Sequence, residues 1–262
     1  MEDYIIHTTP ENYIYKLNLK GGLDMAIYNT GIVEAHIADI INKYVNKDSV
    51  SIDVGANFGC HAVRLGKKGK KVICFEPMPI NERLKENLIL NNINYELYDY
   101  LIGKENIDNI SIFREHDFFI NHSNINTCVI RHMRKIDDVI NINEKINFIK
   151  IDVDGMEHDV LLGLDKIILT HKPIIVTEYT VYALEFNSVT CELNLISDYT
   201  IMKQRWRNTT QLLLDKGYKI EYVAYTEYFN VPTPKLAEDF YDYFNICVKN
   251  NFSGTDVLFI PQ

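Results

Sequence analysis

A glycine-containing turn is the first feature of this sequence that could bind a ligand. It joins a predicted strand to a predicted helix, where backbone N–H groups approach a ligand at the positive end of the helix. Dinucleotide-binding turns require glycine at the middle position, against the pyrophosphate, but Asn57 stands there. The turn therefore favours a nucleoside-bearing cofactor without a pyrophosphate, and it disfavours a dehydrogenase. Its candidate cofactor-binding residues are Asp53, Gly55, Ala56, Asn57 and Gly59.

An acidic residue at the end of the next predicted strand supports this interpretation. Glu76 lies about twenty residues beyond Gly55, the separation at which an acid binds the hydroxyls of a ribose. The structural alternative is that Asp53 and Glu76 only cap their neighbouring helices. The two residues together favour the cofactor interpretation.

A second group of polar residues could act on a substrate. Lys150, Asp152 and Asp154 are spaced by two, which places them on one side of a strand, and Glu178 ends the next predicted strand. Asp152 and Glu178 could hold a divalent cation such as Mg²⁺ or Mn²⁺, orient a substrate or serve as a general base. Lys150 could lower the pKa of a substrate hydroxyl or neutralise the acids. Alternatively, Asp154 caps the following helix and Glu157 interacts with its dipole.

These residues require a sheet of mainly parallel strands to position them. Short β-branched runs alternate with helical periodicity, which predicts βαβ units and a Rossmann-like α/β fold with helices on both faces of the sheet. Ligands of such sheets bind beyond the carboxyl ends of the strands. The stronger predicted strands are residues 50–54, 72–75, 146–151 and 173–177, and the weaker ones are 96–102, 111–113, 219–224 and 256–260. The predicted helices are residues 33–45, 60–67, 81–91, 156–162, 164–169 and 209–216.

Composition limits the partners and the compartment. The 27 basic and 36 acidic residues give a net charge of −9, which disfavours a nucleic-acid substrate. No apolar run is long enough to span a membrane, and the first ten residues do not look like a signal peptide. The 5 cysteines are odd in number and form no Cys-x-x-Cys pair, which favours a reducing compartment. We therefore expect a cytoplasmic protein without a membrane partner.

Two segments resemble the FkbM-type methyltransferases. The first is SIDVGANFG at residues 51–59 followed by FEP at 75–77, and the second is FIKIDVDGME at 148–157 followed by VLLG at 160–163. Asp154 stands where that family usually has glutamate, and Lys135 stands where it usually has threonine. The resemblance covers roughly residues 33–178 and is specific because separate motifs occur in order.

The resemblance implies a class I methyltransferase fold, a seven-stranded sheet whose last strand is antiparallel, and S-adenosylmethionine as the cofactor. The turn from Asp53 to Gly59 would surround the methionine moiety, and Glu76 would bind the ribose. Met78 and Ile102 would enclose the adenine, and Glu34 would reach the amino-acid end. The family methylates hydroxyls of polyketides, saccharides and related products, so the expected acceptor is a saccharide or secondary metabolite. On this reading Lys150, Asp152, Asp154 and Glu178 are the candidate catalytic residues.

Other functions and the domain organisation stay open at this stage. The alternatives are a nucleic-acid methyltransferase and a binding protein that keeps the cofactor fold without catalysis. We predict one methyltransferase domain over residues 1–262, with a helical extension at about 1–47 and an insertion-rich part at about 179–255. His116 and His122 could line an acceptor cleft. The aromatic residues after Tyr222 could supply sugar-stacking faces or a homodimer contact.

Overall fold

The computed structural model of the chain describes residues 4–115, 118–119, 127–141 and 143–262. Its strands are β1 (Tyr4–Thr8), β2 (Ile14–Asn18), β3 (Val50–Val54), β4 (Lys71–Phe75), β5 (Tyr95–Tyr98), β6 (Leu101–Ile102), β7 (Ile107–Glu115), β8 (Phe118–Phe119), β9 (Thr127–Arg134), β10 (Ile146–Ile151), β11 (Ile174–Thr180), β12 (Ala183–Asn187), β13 (Glu192–Ile196), β14 (Tyr218–Val223) and β15 (Gly254–Pro261). Its helices are α1 (Gly22–Thr30), α2 (Ala35–Tyr44), α3 (Cys60–Lys68), α4 (Asn81–Leu90), α5 (Ile136–Val139), α6 (Glu157–Leu162), α7 (Asp165–His171), α8 (Tyr199–Asp215), α9 (Thr226–Phe229) and α10 (Asp239–Lys249).

The central element is a seven-stranded sheet with the order β14-β15-β11-β10-β3-β4-β5. β3, β4 and β5 are parallel, whereas β15 runs antiparallel to both β11 and β14. Every residue of β3 is buried, as expected for an apolar strand in the interior of a parallel sheet. The predicted α/β fold, with a mostly parallel sheet and an antiparallel last strand, is confirmed. None of the helices in the described part of the chain is long and apolar enough to cross a membrane.

The chain divides into two compact units. The first contains Met1–Asp99 and Glu144–Phe148, and the second contains Tyr100–Asn143 and Ile149–Gln262. The prediction of a single domain stays a prediction.

The first unit corrects the expectation of a purely helical extension before β3. β1 and β2 form an antiparallel hairpin, and only then do α1 and α2 follow. Tyr15 and Leu17 are buried while their neighbours in β2 are partly exposed, which is the period-two burial of a strand. The predicted helix at residues 33–45 is present as α2, and it buries Ile37 and Ile41.

The second unit contains a second sheet that the sequence did not reveal. Its order is β12-β13-β7-β9-β6, with β8 paired to β7. The strand predicted at residues 96–102 is in fact two strands, since β5 belongs to the first sheet and β6 pairs with β9. The weak strand predicted at 111–113 is the middle of the longer β7. Asn109 there has φ 59° near an irregularity in the β7–β9 register, and this break weakened the sequence pattern.

Helix α8 is longer than its periodicity predicted. It begins at Tyr199, ten residues before the expected start, because the Asp198 carboxylate caps it by accepting from the backbone N–H of Thr200 at 2.8 Å and of Ile201 at 3.4 Å. Its end matches the prediction, since Gly217 follows with φ 78°.

Candidate functional site

The turn after β3 is held in an unusual backbone conformation. Gly55, Asn57 and Gly59 have φ values of 80°, 50° and 95°, in the left-handed region. The backbone N–H groups of Gly55 and Ala56 donate to the carbonyl oxygen of Phe75 at 2.9 and 3.1 Å. These bonds tie the turn to the end of β4. The first unit therefore presents a fixed strand–turn–helix segment at the place where the sequence predicted the cofactor.

Gly59 allows α3 to start close to a neighbouring helix. A Cβ atom at Gly59 would lie 2.7 Å from Cδ1 of Leu84 in α4. The helix begins at the next residue, and no side chain caps it. The first N–H groups of a helix without a side-chain cap are suited to an anionic or polar ligand. This close packing explains why a glycine occupies the last position of the turn.

Glu76 is oriented by the same turn. Its Oε2 accepts a hydrogen bond from the Asn57 N–H at 2.8 Å, and its Oε1 accepts one from the Met78 N–H at 2.9 Å. The side chain is buried, and no side chain caps α4, so Glu76 does not cap the helix that follows it. Asp53 is buried in β3 and does not cap α3. The structural alternative that these two acids are helix caps is therefore wrong.

The other residues assigned to the cofactor by resemblance are each located within one unit. Met78 is buried just beyond β4 in the first unit. Ile102 is buried in β6 of the second unit, where it pairs with Arg134 of β9. Glu34 precedes α2, and its carboxylate lies 2.7 Å from Nε2 of His61 at the start of α3. Their roles toward a cofactor stay predictions.

In the second unit, Lys150 and Asp152 form the pair that their spacing predicted. Nζ of Lys150 donates to Oδ2 of Asp152 at 2.8 Å, and the lysine side chain is only 3% exposed. A buried ammonium needs such a partner, because burial without one carries a large desolvation cost. Asp154 does not lie on the same strand. β10 ends at Ile151, and Asp154 lies in the following turn with φ 54°, so the prediction that all three side chains share one face of a strand is wrong.

Glu178 is the second carboxyl group beside Asp152. Its side chain lies within hydrogen-bonding reach of the Asp152 carboxyl group. Burial first, and then the negative charge of Asp152, raise the pKa of Glu178 well above its usual range. Asp256 adds to the same effect from β15, where it stands directly opposite Glu178 in the strand register. Glu178 was expected at the end of its strand, but β11 continues to Thr180.

The turn that carries Asp154 is fixed from several sides. Oη of Tyr182 donates to Oδ1 of Asp154 at 3.0 Å, and the Leu184 N–H donates to the Asp154 carbonyl at 2.9 Å. A Cβ on Gly155 would lie 2.4 Å from Cα of Ala183, so only glycine fits there. The N-cap residue of α6 is Met156, so Asp154 does not occupy the N-cap position of this helix. Sequence reasoning missed Tyr182, which no motif marks.

Glu157 does more than interact with the dipole of α6. Its Oε1 accepts from the N–H groups of Val153 at 3.2 Å and of Gly155 at 3.0 Å, so the carboxyl group closes the turn. Complete burial raises its pKa to about 8, although these amide hydrogen bonds act in the opposite direction. The sequence signal was the short distance from Asp154 to Glu157 across a glycine, but it did not reveal that Glu157 is buried.

The arrangement of donors does not fit a metal ion. Within the described residues, no group of three or more histidine, cysteine, aspartate or glutamate side chains could hold one. His116 and His122, predicted to line an acceptor cleft, lie outside the described residues.

Comparison with known proteins gives a family match. The model of the methyltransferase FkbM domain matches residues 53–220, which is more than half of the chain. No curated protein matches the sequence. Among solved structures, methyltransferase FkbM from Methylobacillus flagellatus KT is 18% identical, with 54% of this chain and 40% of that one covered and a TM-score of 0.36. This chain thus spans less than half of that protein.

Two other solved structures cover most of this chain at low identity. A putative methyltransferase from Streptococcus mutans in complex with SAH is 13% identical, with 87% of this chain and 97% of that one covered and a TM-score of 0.49. An rRNA methylase from Streptococcus thermophilus is 13% identical. The match covers 86% of this chain and 94% of that one, with a TM-score of 0.46.

Proposed function

The chain belongs to the FkbM methyltransferase family, and on that premise we propose that it transfers a methyl group from S-adenosylmethionine to a hydroxyl group of a saccharide or secondary metabolite. The observation that carries this proposal is the double backbone hydrogen bond to the Glu76 carboxylate, which fixes an acid at the end of β4. An acid fixed in this way is suited to a ribose diol.

The residues of the first unit fit this cofactor. The turn from Gly55 to Gly59 has three residues with positive φ, and a Cβ at Gly59 would lie 2.7 Å from Cδ1 of Leu84, so that side chain would have to move. We assign the ribose to Glu76 and the methionine moiety to this turn and Asp53. The cofactor supplies an electrophilic methyl group on a sulfonium, so the protein mainly has to bind and orient it.

The carboxyl groups of the second unit are suited to handling the proton of an acceptor hydroxyl. An aliphatic hydroxyl is a poor nucleophile until its proton is removed. We propose that Asp152 accepts that proton, that Glu178 stays protonated beside it, and that Lys150 balances the charge. Tyr182 and Glu157 hold Asp154 and its turn in place. No metal takes part in this proposal, because the donors do not fit one.

Calorimetric titration with S-adenosylhomocysteine tests the cofactor assignment. We expect micromolar binding of the homocysteine compound and no binding of NAD⁺. Binding of NAD⁺ alone would overturn the proposal in favour of a dehydrogenase. If neither S-adenosylhomocysteine nor NAD⁺ binds, the chain has the fold of the family but not this cofactor site.

Transfer of a radiolabelled methyl group tests the acceptor class. The purified chain would be incubated with labelled S-adenosylmethionine and with neutral saccharides, acidic saccharides, polyketide alcohols or ribosomal RNA. Label in a saccharide or polyketide alcohol, lost again in Asp152→Asn, supports the proposal. Label only in RNA would replace it with the nucleic-acid alternative.

A further inference from the structure

A cavity in the second unit has no place in the site described so far. It lies between the first half of α8 and Tyr241 of α10 and has a volume of about 700 Å³. This volume is within the usual range for small-molecule sites. The side chains that matter here are those of Thr200, Lys203, Gln204, Arg205, Asn208 and Tyr241.

The charge of this cavity is opposite to that of the chain. The protein carries a net charge of −9, yet Lys203 and Arg205 line the cavity, and none of its described lining residues is acidic. Within the described residues Lys203 forms no salt bridge, and its Nζ lies 5.6 Å from the centre of the Phe244 ring. The nearby Asp198 carboxylate is engaged in capping α8. A local excess of cations of this kind attracts an anionic group.

The remaining polar groups suit a ligand rich in hydroxyls. Oη of Tyr241 donates to Oε1 of Gln204 at 2.7 Å, and Nε2 of Gln204 donates to Oδ1 of Asn208 at 2.7 Å. This chain of hydrogen bonds fixes the orientation of both amides. Asn208 is then oriented with its NH₂ group as a donor, and the Tyr241 oxygen can accept. Donors and acceptors at fixed positions match the hydroxyls of a sugar ring.

Arg205 connects the cavity to the turn that carries Asp154. Its Nη1 donates to the carbonyl oxygens of Gly155 at 3.2 Å and Leu184 at 3.3 Å. The same side chain therefore lines the cavity and contacts the backbone next to Asp154. A ligand bound in the cavity would extend from the proposed acceptor region rather than from an unrelated surface.

We propose that this cavity binds the anionic part of an acidic saccharide, a sugar that carries a carboxylate or a phosphate. The identification of this ligand as the methyl acceptor rests on the proposed function, but the binding itself does not. Lys203 contacts the anionic group, and Gln204, Asn208 and Tyr241 contact the sugar hydroxyls.

Binding of three simple probes to the full chain tests this inference. Glucuronate, glucose 6-phosphate and glucose would be titrated separately and followed by saturation-transfer NMR. We expect one or both anionic sugars to bind and glucose to bind at least roughly tenfold more weakly, because a hydrogen bond to a charged group is lost. A preference between the two anions identifies the carboxylate or the phosphate as the natural group.

Matched charge variants locate the binding. Lys203→Gln should weaken the anionic probes by roughly tenfold. Lys219→Gln removes the same charge from β14, where the lysine is 51% exposed, and should leave binding unchanged. Asn208→Asp should also weaken the anionic probes, because it places a negative charge in the cavity and removes the NH₂ donor.

Three outcomes would overturn the inference: equal binding of glucose, an equal loss in Lys219→Gln, or no binding of either anionic sugar. S-Adenosylhomocysteine titrated into the same samples separates this failure from failure of the proposed function. A chain that binds the homocysteine compound but neither anionic sugar keeps its proposed function and loses only this cavity. A chain that binds an anionic sugar at Lys203 but not the homocysteine compound keeps the cavity and loses the methyl-transfer assignment.

Discussion

The turn after β3 in the first unit and the turn after β10 in the second are built alike but have different electrostatics. Both contain positive φ values, at Gly55 and Gly59 in one and at Asp154 and Gly155 in the other. Both are also closed by a buried glutamate that accepts two backbone N–H groups. This glutamate is Glu76 in the first turn and Glu157 in the second.

The difference is in what surrounds the two glutamates. Glu157 lies near other acids, and burial raises its pKa to about 8, while burial and Asp152 raise the pKa of Glu178. The Glu76 carboxylate instead accepts hydrogen bonds from two backbone amides of the first unit. Similar backbone geometry can thus serve to hold a ligand in one place and to hold protons in the other. Four predictions test this distinction.

Asp152→Asn should have the largest effect on activity. If Asp152 takes the acceptor proton, turnover should fall by about 10²–10⁴-fold while the affinity for S-adenosylhomocysteine stays unchanged. The pKa of Glu178 should also fall toward its usual value, because a neighbouring negative charge is removed. Steady-state kinetics and calorimetry measure the two effects, with Asp215→Asn on the exposed end of α8 as the control. An equal loss of cofactor affinity would make Asp152 a cofactor ligand.

Gly155→Ala should destabilise the fold more than Gly59→Ala. The new Cβ at Gly155 meets the backbone of Ala183 at 2.4 Å and of Tyr182 at 2.6 Å, whereas that at Gly59 meets only the end of the Leu84 side chain at 2.7 Å. We expect the free energy of unfolding to fall by about 3 kcal/mol or more at Gly155 and by about 1–2 kcal/mol at Gly59. Urea denaturation measures both. Gly22→Ala, with nothing within 4 Å of the new Cβ, is the control.

Glu76→Gln should weaken the binding of S-adenosylhomocysteine by about ten- to hundredfold. The amide group would place N–H donors against the N–H of Asn57 or Met78, so the side chain loses its fixed orientation as well as its charge. Calorimetry measures the affinity, and Glu82→Gln on the exposed face of α4 is the control. Unchanged affinity would remove Glu76 from the cofactor site.

Glu157→Gln should change the pH dependence of stability. The pKa of Glu157 is about 8 in the folded chain and near 4.5 in the unfolded chain, so the folded state binds the extra proton between these values. Its stabilising contribution is complete below pH 4.5 and is lost as the pH rises toward 8, at up to about 1.4 kcal/mol per pH unit. Urea denaturation at a series of pH values should show that the variant lacks this part of the decline. Equal slopes in both proteins would show that Glu157 is ionised throughout.

Much of the fold could be predicted because its strands are short, apolar and β-branched. β10 was predicted with its observed bounds, and β3 likewise. The second sheet was not predicted, since β7 is interrupted at Asn109 and the alternating runs of β12 and β13 are only about four residues long. In α8, the capping role of Asp198 decided the start, whereas the periodic pattern alone indicated only the second half.

The candidate site shows the same division. The spacing of two between Lys150 and Asp152 predicted their contact, because side chains alternate along a strand. Asp154 broke the rule because the strand ends at Ile151 and the chain turns there. Tyr182 and Asp256 could not be found from local sequence, since each meets its acidic neighbour only through strands that are distant along the chain.

The sequence by itself determined the family, the alternation of strands and helices, and the residue types at the strand ends. These follow from local patterns of hydrophobicity and from motifs that are contiguous along the chain. Only the tertiary structure decided which acids lie close enough to affect each other's pKa, which glutamates close the two turns, and where an acidic protein gathers cations around a cavity. Protonation depends on burial and on charges brought together from distant segments, and neither quantity is encoded at any single position of the chain.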